Sequence, residues 1–147
     1  MIEIKEEEIE TKKSFQIINI TSTIKKYISS KKITNGQVTI STKHTTTAII
    51  VNENEPRLLR DMEKFIGGLA PKRIAYLHDD IEKRKDCPKD EPKNAAAHLK
   101  ALLLGASETL PIKDGKIDLG KWQNIFFVEL DGSRRRAYSL NIIANEK

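Results

Sequence analysis

Apolar and polar positions alternate over residues 2–9, I-E-I-K-E-E-E-I, which predicts a strand with its polar face in water. Residues 15–20 predict a second. Thr21 or Ser22 then offers a helix N-cap, and Ile24, Tyr27 and Ile28 follow at i, i+3, i+4 spacing as one apolar stripe. Asn35-Gly36 reads as the turn that closes this unit. In the strand expected over 36–43, Val38, Ile40 and Thr42 share a face, and His44 continues the same parity. Residues 46–52 are apolar on both parities, as in a strand covered on both sides. Asn54 as N-cap and Pro56 in the first turn open a helix over 56–66, striped by Leu58, Leu59, Met62, Phe65 and Ile66. Gly67-Gly68 is expected to stop it.

Residues 71–93 have no regular period and are long for a connection within one domain, the kind of segment that often carries function. A helix is predicted over 94–104, with His98 on a face shared with Ala95, Ala101 and Leu102, and Gly105 at its end. Strands follow at 108–112, 117–119, 124–130 and 134–143. Asp114-Gly115 and Asp131-Gly132 make two hairpin turns of them. Trp122 reads as a packing anchor. The sum is one α+β domain over residues 1–147, with seven or eight strands and three helices and no internal repeat.

Composition narrows the class. The richness in Lys, Glu and Ile beside one Cys and two Met is the balance of heat-adapted proteins. A lone Cys87 excludes an internal disulfide framework, and in D-C-P-K-D-E-P it reads as an incidental loop residue. The apolar runs fall short of the roughly 18–20 residues that span a bilayer. The acidic, alternating N-terminus is unlike a signal peptide, so the expectation is a cytoplasmic protein with no membrane partner. The net charge of +5 is scattered among acidic residues, apart from Arg134-Arg135-Arg136. Few aromatics and mixed charge make nucleic acid the weakest of the partner classes.

Three stretches carry candidate chemistry: K-H-T-T-T-A-I-I-V-N-E-N around His44, Y-L-H-D-D around His78, and N-A-A-A-H around His98. Three neutral imidazoles suit a divalent ion such as Zn2+, leaving a fourth position to water or substrate. No short H-x-x-x-H spacing is present, so the expectation is that the fold assembles His44, His78 and His98 into one metal site. Glu53, at the end of a buried-looking strand, and Asp61, at the edge of a helix stripe, are candidate acid/base groups or hard ligands. Arg134 and Arg136, two apart on a strand, share a face and would grip phosphate bidentately.

These motifs, in this order, resemble the YjbQ family of small bacterial and archaeal proteins, often described as secondary thiamine-phosphate synthases. The matching pieces are K-H-T-T-T-A with N-E-N, Asp61 in R-D-M-E, Y-L-H-D-D, A-H-L-K-A-L-L-L-G, the L-P strand before D-G-K, L-G-K-W-Q and D-G-S-R-R-R. The stretch from Glu82 to Pro92 has no clear family pattern. The resemblance implies a layered β-sandwich with helices packed outside, a homotrimer, and clustering of His44, His78 and His98 with Glu53 and Asp61. It also implies an activity: joining a hydroxymethylpyrimidine diphosphate to a thiazole phosphate with release of pyrophosphate. Mg2+ would accompany the diphosphate, since it prefers oxygen ligands, whereas the histidines favour Zn2+. A metal-dependent hydrolase, or a non-catalytic metal- or metabolite-binding protein, are the alternatives.

Overall fold

The computed structural model describes residues 1–146. Its elements run β1 (Ile2–Glu10), β2 (Gln16–Asn19), α1 (Thr21–Ser29), β3 (Ile33–Thr42), β4 (Thr47–Glu53), α2 (Pro56–Leu69), α3 (Ala95–Leu104), β5 (Ser107–Lys113), β6 (Lys116–Ile117), β7 (Gln123–Glu129) and β8 (Arg135–Glu146). Two 3-10 turns, Leu77–Asp79 and Ile81–Lys83, lie between α2 and α3.

The strands form a five-stranded sheet of order β1-β8-β3-β5-β6 and a three-stranded sheet of order β2-β7-β4. Val38 pairs with Ile142 and Leu110, and Ile40 pairs with Leu140, so one face of the larger sheet is continuously apolar. That face meets Ile49, Ile125 and Phe127 from the smaller sheet in the main core. Alternate residues of the smaller sheet, Ala48, Val128 and Leu130, point the other way. They pack with Ile66 and Met62 of α2 and with Ala97, Ala101 and Leu104 of α3. Helices thus cover the outer face of the smaller sheet. α1 differs, because its Ile24 and Ile28 are fully buried in the core that the strands build.

Several turn signals have other causes. Asn35-Gly36 lies within β3 at a register irregularity, not in a turn. Gly36 is there because β8 passes close by. Asp131-Gly132 does not make a hairpin. β7 is already paired on both edges, by β2 and β4, so the chain crosses to the larger sheet and inserts β8 between β1 and β3. The crossing is pinned by Thr11, whose hydroxyl accepts from the Arg134 N–H at 2.9 Å and whose own N–H donates to the Arg134 carbonyl at 2.9 Å. α2 continues through Gly67-Gly68 and ends at Ala70, whose extended backbone (φ −140, ψ 92) is what a residue before proline adopts. Its N-cap is Glu55 rather than Asn54, with the carboxylate accepting from the Arg57 and Leu58 N–H groups.

The polar face of β1 is also inverted. Ile2 and Ile4 are 80% and 72% exposed, while Glu3 is half-buried. Glu3 is turned toward α1, where Tyr27 donates to it and Lys31 forms an ion pair at 2.6 Å. Trp122 is 62% exposed and lies under the Lys121 ammonium, so it anchors nothing in the core.

Candidate functional site

The site lies where the two sheets exchange the chain. β7 ends in Glu129 and β8 begins with Arg135, so Glu129 and Arg136 meet at this seam, exposed by only 0% and 8%. Arg136 donates through Nε to Glu129 Oε2 at 2.8 Å and through Nη2 to Oε1 at 2.7 Å. Glu129 also accepts from the Thr11 hydroxyl and from the Leu130 and Asp131 N–H groups. Burial alone would push this carboxyl up. The hydrogen bonds from Arg136, from the Asp131 N–H and from Thr11 outweigh it and hold Glu129 below the ordinary carboxylate range.

Arg136 of this pair opens onto a cleft of ≈ 350 Å³ whose lining also includes Lys43, His44, Thr46, Asn94 and His98. Arg136 Nη2 also donates to Thr46 Oγ1 at 2.9 Å, which leaves the Thr46 proton available. Among the described residues Nη1 makes no hydrogen bond. The result is a guanidinium locked in position with two N–H donors unused.

His44 enters from the chain between β3 and β4, where the parity of β3 carries it. Its Nε2 accepts the Ala137 N–H at 3.0 Å. A nitrogen that accepts carries no proton, so the neutral ring bears its proton on Nδ1 and is a donor there. Burial, and then the Arg136 charge, push the His44 pKa down, which keeps the ring neutral. His98, on α3, is likewise pushed down by burial and then by His78. The Thr45 backbone beside the ring acts the other way and more weakly.

His78 packs edge-on against His98, with ring centroids 4.8 Å apart. Its neighbour Asp79 accepts the Ala95 N–H at 3.0 Å and caps α3 in place of Asn94, whose amide instead donates to Asp131 at 2.8 Å. The fold therefore gathers the three histidine segments into one region, as the sequence suggests. It does not arrange them as a metal centre. Among the described residues no group of three or more His, Cys, Asp or Glu side chains is placed to hold a metal ion. His44 in particular has no ring lone pair to offer a metal, because Nε2 accepts the Ala137 N–H and Nδ1 carries the proton.

Glu53 and Asp61 stand elsewhere. Glu53 is at the far end of β4, opposite Gln123 and about 20 Å along the strand from Thr47. Asp61 is exposed on α2. The carboxylates lining the cleft are Asp131 and Glu91. Arg134 is turned onto Asp131, donating through Nε to its carbonyl and through Nη2 to its carboxylate, both at 2.8 Å. Glu129 went unnoticed in the sequence. Its signal was a carboxylate inside N-I-F-F-V-E-L, where only a buried partner makes such a residue tolerable.

Fold and cleft together define a small α+β protein with a cleft rich in hydrogen-bond donors at the seam of two sheets. The pattern of the family described as "UPF0047 protein YjbQ-like" matches residues 5–145, and the chain belongs to that family. A UPF0047 protein of Methanothermobacter thermautotrophicus is 40% identical over 134 residues, covering 91% of this chain and 87% of that protein. One from Methanocaldococcus jannaschii is 39% identical over 140 residues, covering 95% and 93%. The crystal structure of a YbjQ-like protein of unknown function from Sulfolobus solfataricus superposes with a TM-score of 0.88 at 32% identity, covering 99% of each chain. A Clostridium acetobutylicum member of the family superposes at 0.82 with 34% identity, covering 95% of this chain and 99% of that one. Among the described residues no helix is long and apolar enough to cross a membrane.

Proposed function

We propose that the cleft binds the phosphate end of a small molecule and serves a transfer reaction in which pyrophosphate leaves. The observation that carries this is the Arg136 guanidinium, buried, held by Glu129, and presenting unused Nη1 donors beside a histidine fixed as a donor. Donors fixed before the ligand arrives need no reorganisation as negative charge develops on a leaving oxygen. In this reading Arg136, His44 Nδ1 and the Thr46 hydroxyl take that role, and His98 moves a proton. The specific reaction is the one the family resemblance implies. The nitrogen of a thiazole phosphate attacks the exocyclic carbon of a hydroxymethylpyrimidine diphosphate, a C–N bond forms, and the C–O bond to pyrophosphate breaks.

The test supplies both precursors to purified protein and measures thiamine phosphate and pyrophosphate. His44→Leu removes one donor and is expected to lower turnover about 100-fold, while circular dichroism stays unchanged. Equal turnover by wild type and variant would take the cleft out of the reaction. Pyrophosphate released at the same rate without the thiazole would favour a hydrolase, and pyrophosphate binding with no turnover a binding protein.

The homotrimer is part of the same proposal. Ile2, Ile4 and Ile143 lie exposed together on the outer face of the β1–β8 pair, a surface suited to burial against another copy. Light scattering is expected to return three times the chain mass, and Ile4→Lys to lower it. A monomeric wild type removes this element.

A further inference from the structure

Residues between 74 and 93 line a second and larger cavity, ≈ 1060 Å³, partly open to solvent. Glu91, Pro92 and Asn94 line the cleft, whereas Lys89 and Lys93 line the cavity, so one run of chain contributes to both. His78 neighbours both and lines neither. Its ring meets His98 of the cleft, while its neighbour Asp79 lines the cavity. Two buried polar atoms of this region, His78 Nε2 and Asn94 Oδ1, have no hydrogen-bond partner among the described residues, and Asn94 is a residue of the cleft, not of the cavity.

The lining has a definite chemistry. Ile74, Tyr76 and Ile81 supply an apolar wall, and Arg84, Lys89 and Lys93 supply cations. The acidic groups are mostly occupied. Asp79 caps α3 and Asp80 is paired with Lys83 at 2.8 Å, which leaves Glu82. Lys89 and Lys93 form no ion pair among the described residues. The segment is also held in shape. Arg84 donates to the His78 carbonyl, Tyr76 Oη donates to the Pro71 carbonyl at 2.9 Å, and Asp79 ties it to α3. A cavity at the upper end of ligand-pocket sizes, roughly 300–1,000 Å³, with one apolar wall and two unpaired lysines, fits a specific kind of guest.

We propose that this cavity is a second small-molecule site, separate from the phosphate cleft, for an anionic group attached to an apolar body. The inference stands on the cavity alone and does not depend on the chemistry proposed for the cleft.

The probe is 8-anilinonaphthalene-1-sulfonate, an anion on an apolar body, titrated into the full-length protein and followed by fluorescence. Cys87 lines the cavity and reports occupancy through its rate of alkylation by a maleimide. One saturable site per chain is expected. Bound dye should slow Cys87 alkylation, the pair Lys89→Glu and Lys93→Glu should weaken dye binding about tenfold, and excess pyrophosphate should not displace it. Both lysines are exposed, so the double variant is expected to fold as wild type does. Absence of saturable binding overturns the proposal. So does dye that binds without protecting Cys87, which places it on exposed apolar positions such as Leu102 and Leu103. Unchanged affinity in the lysine variant removes the anion site, and displacement by pyrophosphate reassigns the dye to the cleft. Neither of these results bears on turnover at the cleft, which His44→Leu reads separately.

Discussion

Replacing Glu129 by alanine is expected to destabilise the protein by about 3–5 kcal/mol, because it leaves the Arg136 charge buried without its counter-charge. For a chain of this length that is a fall in Tm on the order of 10 °C, readable by calorimetry. The double variant Glu129→Leu with Arg136→Met should recover most of the loss, since an apolar pair of similar volume avoids the desolvation of both charges. A single variant that loses less than about 1 kcal/mol, the range of a surface ion pair, would mean the pair is wetter than its burial indicates.

The same pair sets an acid limit. Glu129 is depressed below its ordinary 4.5 in the folded protein. Below pH 4.5 the unfolded chain therefore takes up a proton that the folded one still refuses. The stabilisation is complete above that pH and is lost as pH falls through the lower folded value. His44 and His98, both pushed down from 6.5, act in the same direction over a less acidic window. The Glu129 contribution is isolated by comparison. The stability gap between wild type and Glu129→Gln should shrink as pH drops below 4.5. A constant gap would contradict the assignment.

Gly36→Ala is expected to be comparably damaging, by about 3 kcal/mol or more, through overpacking against backbone that has nowhere to move. A Cβ at Gly36 would lie 2.2 Å from the Ile143 carbonyl oxygen and 2.5 Å from Ala144 Cα. The contrast is Gly67→Ala or Gly68→Ala. A Cβ there meets nothing within 4 Å, and both glycines lie inside α2, so each substitution should stabilise by about 0.4–1 kcal/mol. Chemical denaturation of the three variants checks the sign as well as the size. A tolerated Gly36→Ala would mean that β3 and β8 do not approach as closely as their register requires.

Those glycines show why some local signals misled. Asn35-Gly36, Gly67-Gly68 and Asp131-Gly132 all look like punctuation, and a turn dipeptide records only that the backbone is permitted to turn. At Gly36 the demand is space for another strand, visible only when β8 lies beside β3. In α2 the helix runs on through the glycines, with Ile66 before them and Ala70 after them both buried, and Pro71 sets the end. After Asp131 the return strand pairs in the other sheet, because both edges of β7 are taken.

The site divides in the same way. His44 was legible from its parity at the end of the Val38–Ile40–Thr42 row, and His98 from the small residues around it on a helix face. Glu53 shared a strand with the apolar run after His44, yet a strand separates what sits at its two ends. Glu129 was hidden within an apolar run, and Arg136 was read as a free phosphate clamp when two of its nitrogens hold that carboxylate.

Periodicity, with caps and turn residues, determined three helices and seven or eight strands, because alternate burial in a strand and a single buried stripe on a helix are local demands written residue by residue. Family membership was also readable, from the order of short motifs. What only the tertiary structure decided was which groups remain free to act. That depends on partners distant along the chain: Ala137 for His44, Glu129 for Arg136, Asp79 for the start of α3. A side chain's chemistry is set by the bonds already made to it, and those bonds exist only once the two sheets have exchanged the chain at their seam.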